Sequence, residues 1–81
     1  MRKKDLLNLF KAGTQEHQVV NLILNFGTIY NYQLPVLYPP VLSYGKVLSR
    51  IRKAISPYFK LPAKRDGTTN VYSYSFKKVS A

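Results

Sequence analysis

An α+β fold is predicted: a core of three helices, a short extra helix or arm before it, and a β-hairpin at the C-terminal end. Two patterns carry that expectation. Residues 43–55 repeat apolar groups at helical spacing, whereas Val71-Tyr-Ser-Tyr-Ser-Phe76 alternates with the period of two expected of a strand with one face covered. A third observation divides the chain, because Gly13, Gly27, Pro39-Pro40, Ser56-Pro57 and Asp66-Gly67 all fall between periodic runs.

The lead, residues 1–12, joins Arg2, Lys3 and Lys4 to Leu6, Leu9 and Phe10, the last three at helical spacing. A short helix is expected, read either as an arm reaching DNA or a partner through its three cations or as a cover for the core; the domain proper is expected over 13–81. Thr14 can cap the next helix through its hydroxyl, Val19, Val20, Leu22, Ile23, Leu24 and Phe26 give it a broad apolar face, and Gly27 stands where a left-handed cap belongs. His17, the single histidine, is expected to be solvated in the first turn. Thr28-Ile29-Tyr30 suits a small edge bridge, and Asn31 can cap a brief helix to Leu37 that tolerates Pro35 only in its first turn. Tyr38-Pro39-Pro40 ends that helix, since each proline holds its predecessor extended.

Ser43 is placed to cap a helix over 44–55 that stops before Ser56-Pro57. At about 100° per residue, Leu48, Ile51 and Ile55 share one sector with Val47 and Ala54 beside it, and Lys46, Ser49, Arg50 and Lys53 fall within roughly 100° of one another on the far side. That outer face offers three cations and a hydroxyl but no acid, and no Asp or Glu occurs anywhere from Gln18 to Arg65. A solvated helix ordinarily mixes both signs. Tyr58-Phe-Lys-Leu61 is expected to pair with residues 71–76 as a hairpin, Tyr72, Tyr74 and Phe76 facing the helices, and the connecting loop 62–70 carries Lys64 and Arg65 as a basic wing.

Composition narrows the functional classes. Thirteen Lys and Arg against Asp5, Glu16 and Asp66 give +10 on 81 residues, an electrostatic footprint suited to polyanions. One small domain is expected, burying only about 60–65% of its unfolded surface and leaving little room for an enzyme cleft. The 46% hydrophobic and 14% aromatic content argues against a disordered basic tail. Three scattered acids and one histidine do not assemble a carboxylate pair, a metal cage or a nucleophile relay, and the four glycines are isolated, so no catalytic residue, metal or cofactor is expected. No apolar run approaches the roughly 20 residues of a membrane span, no cysteine is present, and the lead is too short for a secretory signal. A cytoplasmic protein with no membrane partner and no small-molecule substrate is expected.

Helix, small strand, short helix, turn, amphipathic helix and basic hairpin is the order of a winged helix-turn-helix domain. Gly13-Thr14-Gln15, Phe26-Gly27-Thr28-Ile29, Leu48-Ser49-Arg50-Ile51-Arg52-Lys53 and Val71-Tyr72-Ser73-Tyr74 moreover resemble the small winged helix-turn-helix domains of bacteriophages and prophages, over about residues 13–76. That resemblance implies that Lys46, Ser49, Arg50 and Lys53 enter the major groove of duplex DNA, and that Lys64 and Arg65 touch backbone or minor groove. It implies a transcriptional or replication regulator acting in a bacterial cytoplasm. Pro35 and Tyr38-Pro39-Pro40 depart from the pattern by shortening the second helix and stiffening the turn before the third. This keeps a second class open: a phage-encoded modulator binding an acidic surface of a host protein, for which Tyr32, Tyr38, Val41 and Tyr44 exposed together would speak. RNA binding is allowed by charge and aromatics but lacks a recognisable module.

Overall fold

Thr14 adopts an extended backbone and its hydroxyl accepts from the His17 amide at 3.2 Å, starting helix α1 (Gln15–Phe26) where the sequence predicts. Gly27 ends it with φ +79°, a conformation that favours glycine, and its amide donates to the Ile23 carbonyl. The computed structural model describes residues 2–36 and 43–79. The turn at Tyr38-Pro39-Pro40 and the exposure of Tyr38 and Val41 lie outside the described residues.

The elements follow in the order N-terminal 3-10 helix (Lys3–Leu9), α1, β1 (Ile29–Tyr30), central 3-10 helix (Asn31–Val36), α2 (Tyr44–Ile55), β2 (Phe59–Lys60), β3 (Ala63–Arg65), β4 (Tyr72–Tyr74) and β5 (Lys77–Lys78). The architecture is α+β, with four helical segments and small antiparallel sheets among the described residues. Both short helices are wound as 3-10 rather than α. For the central one the reason is local: an α-helix over these residues would need the Pro35 amide to donate to the Asn31 carbonyl, and proline has none.

α2 has the predicted bounds, yet two expected caps do not form. The Ser43 side chain makes no capping bond. Asn31 does not cap its helix either, because its side chain crosses to the hairpin, donating to the Asn70 carbonyl at 2.9 Å and accepting from the Tyr72 amide at 3.1 Å. Gln33 reaches back instead, its Oε1 accepting from the Tyr30 amide at 2.7 Å.

The hairpin differs from expectation. β3, not the run at 58–61, pairs antiparallel with β4, matching Ala63 to Tyr74, Lys64 to Ser73 and Arg65 to Tyr72. β1 adds to the other edge of β4, giving the order β1-β4-β3, while β2 pairs with β5 as a separate two-stranded ribbon. The physical reason is that Pro62 has no amide to offer a ladder, so the run from Phe59 to Arg65 is divided between two partners.

Every helical segment reaches one core. Leu6 from the lead, Val19, Val20 and Ile23 from α1, Leu34 from the central 3-10 helix, and Val47, Leu48, Ile51 and Ile55 from α2 are each no more than 2% exposed. Ile29, Phe59, Leu61, Tyr74 and Phe76 close it from the strands, with Tyr72 packed at its margin. Ala54, expected beside the buried sector of α2, is exposed: it sits on the shoulder toward Arg50. His17 is half-buried rather than solvated. Among the described residues no helix is long and apolar enough to cross a membrane.

Candidate nucleic-acid interface

Burial of Leu48, Ile51 and Ile55 turns the opposite side of α2 to solvent, so Lys46, Ser49, Arg50 and Lys53 are all exposed on one face, as their spacing predicts. That face is not free of acid, however. Arg50 Nη1 lies 3.2 Å from Glu16 Oε1 in the first turn of α1, the two side chains 70% and 16% exposed. The sequence separates the pair by 34 positions, and only the packing of α1 on α2 brings the acid to the edge of the cationic face.

The flank of α2 carrying Gly45, Leu48 and Arg52 looks across a cleft of about 430 Å³ at Ala63, Asn70, Tyr72 and Tyr74, so helix and hairpin stand side by side. Burial pushes the Tyr74 phenol above its ordinary pKa, with neighbouring Tyr44 and Tyr72 adding to the rise and Arg52 opposing it. Arg52, which periodicity leaves without a role, donates from Nε to the Leu61 carbonyl at 3.0 Å and ties α2 to the segment entering β3.

Lys64 and Arg65 are exposed but belong to β3 rather than to a loop. The turn begins at Asp66, whose amide donates to the Val71 carbonyl at 2.9 Å, and Gly67 supplies a φ of +60°. Arg65 braces that turn, its Nε donating to the Thr69 carbonyl at 2.8 Å. Part of the guanidinium is therefore committed within the wing.

Arg2, Lys3 and Lys4 are exposed on the N-terminal 3-10 helix, and Lys3 and Lys4 border a depression with Ile23, Leu24, Gly27 and Phe76 at the C-terminal end of α1. Sequence reasoning overlooked Lys60 and Lys77. Both are exposed and stand directly opposite each other in the β2–β5 register, a juxtaposition visible only once the strands are paired.

Of the four residues that would mark a protein-binding patch, Tyr32 is exposed and Tyr44 is half-buried against the core. Among the described residues no group of three or more His, Cys, Asp or Glu lies together as a metal site. No protein-family model, curated protein sequence or solved structure matches this chain.

Proposed function

We propose that the chain is a duplex-DNA-binding protein of the small phage winged helix-turn-helix kind, regulating transcription or replication in the cytoplasm of a bacterial host. The observation that carries this reading is α2 itself, apolar and buried on one side and offering Lys46, Ser49, Arg50 and Lys53 on the other. Three further features support it. The sheet order β1-β4-β3, with the hairpin following α2, fits a wing beside a recognition helix. The first turn of α2 contains no acid and no side-chain cap, so the positive end of its dipole adds to the local potential. Gly45 in that turn has open space where a Cβ would stand, allowing a phosphate to approach the backbone amides.

In this reading phosphate contacts from Lys46, Lys53, Lys64 and the lead supply affinity, and Arg50, released from Glu16, reads a base edge. About five to seven phosphates are contacted, so log affinity for random duplex should fall against log salt with a slope of about −4 to −6. Replacing Lys46 and Lys53 together with Ala should flatten that slope by about two units. A flat salt response of the native chain would overturn the reading in favour of the acidic host-protein partner.

A further inference from the structure

The outward face of the three-stranded sheet carries a row of side chains that the core does not use. Tyr30 of β1 stands opposite Ser73 of β4, and Ser73 opposite Lys64 of β3. The adjacent row, Ile29, Tyr74 and Ala63, sends Ile29 and Tyr74 into the core at 0% and 5% exposure. Alternation along each strand therefore turns Tyr30, Ser73 and Lys64 the other way, and these three line one depression with Arg65 and Asp66. Tyr32 stacks on Tyr30 with ring centroids 5.5 Å apart and planes 15° from parallel. It nonetheless stays 59% exposed.

The backbone that presents this pair is tethered on both sides. The Tyr30 amide is bound by Gln33, and Asn31, between the two tyrosines, is bonded to both Asn70 and Tyr72 of the hairpin. Two rings already stacked on a tethered backbone lose less freedom than two loose ones when a third flat group joins the stack. A cation completes the chemistry: strand spacings of about 4.8 Å put the Lys64 backbone about 10 Å from that of Tyr30, within side-chain reach of a phosphate flanking a base laid on the rings.

We propose that this face docks single-stranded DNA, unpaired bases stacking on Tyr30 and Tyr32 while Lys64 takes a flanking phosphate. It goes beyond duplex binding by α2. Unpaired bases are the fitting occupant because they offer π-faces that a duplex hides, and a basic chain complements their phosphates.

The test measures binding of the full chain to a mixed-sequence single-stranded DNA, the RNA of the same sequence, a blunt duplex, and heparin as a polyanion without bases. Tyr32→Ala, at an exposed position, and Tyr30→Leu, which keeps an apolar strand residue, should each weaken the single-stranded DNA about 5- to 150-fold, with duplex and heparin changed less than about twofold. The proposal is overturned if either variant, folded by circular dichroism, binds single-stranded DNA like the native chain. Parallel loss of heparin binding or tighter binding of the RNA than the DNA would also overturn it. Failure of the α2 reading shows separately, as loss of the duplex arm in the native chain.

Discussion

Glu16 and Arg50 form a 3.2 Å ion pair that joins the first turn of α1 to the cationic face of α2, with the guanidinium far more exposed than the carboxylate. The acid has two opposed effects. It favours the fold, through an ion pair and through its place at the positive end of α1, and it opposes DNA, by neutralising a cation on the docking face. Glu16→Gln should therefore lower stability by about 0.5–1.5 kcal/mol while raising duplex affinity about two- to fivefold at low salt. Chemical denaturation and fluorescence anisotropy read the two quantities separately. Weaker DNA binding by the folded variant would mean that Glu16 positions Arg50 rather than restraining it.

Lys60 and Lys77 oppose each other across β2 and β5 with no intervening acid in the register. Like charges directly opposite destabilise a pair of strands, so Lys60→Ala should stabilise the chain by about 0.2–1 kcal/mol at low ionic strength, the gain fading as salt screens the repulsion. If the pair also binds phosphate, the same change should weaken heparin binding. A melting temperature that falls instead, independent of salt, would show that the lysine stems contribute packing that outweighs their repulsion.

What could be read from the sequence follows from where the deciding interaction lies. The bounds of α1 were legible because the Thr14 cap, Gly27 and apolar spacing are local and agree; those of α2 followed from apolar spacing, since Ser43 makes no capping bond and Ser56 before Pro57 keeps a helical backbone. The strands were half legible. Alternation identified residues 71–76 and the inward face of Tyr74 and Phe76, but the partner of β4 depends on Pro62 dividing the incoming run and on β1 arriving from far away in sequence. The cationic face of α2 was legible for the same reason as its core face, both being consequences of one helical period. Glu16, Lys60 and the stacked tyrosines were not, because each acquires its meaning from a neighbour that only the packed chain supplies.

Asn31 is one such case. Its side chain makes two hydrogen bonds across about forty residues, at 2.9 Å to Asn70 and 3.1 Å to Tyr72, and so holds the central 3-10 helix to the hairpin. Asn31→Ala should cost about 1–3 kcal/mol, since two backbone groups lose their partner, and hydrogen exchange should quicken at Tyr72 before it does at Ile51 in the core. Equal acceleration at both amides would mean that the hairpin opens only with global unfolding.

Tyr74 offers a test by pH. Burial raises its pKa in the folded chain above the ordinary phenol value, with Tyr44 and Tyr72 contributing and Arg52 opposing. The unfolded chain ionises this tyrosine near pH 10, so between that pH and the higher folded value the unfolded state has lost a proton that the native state keeps. The stabilisation is fully present below about pH 10 and is lost as pH rises through the folded value. Absorbance of the ionised phenol should show a component, from Tyr74, that titrates above the ordinary phenol value. Tyr74→Phe should abolish that late component and make stability less sensitive to pH above about 10. Persistence of the late component in the folded variant would show that burial of Tyr74 between the flank of α2 and the hairpin is not its source.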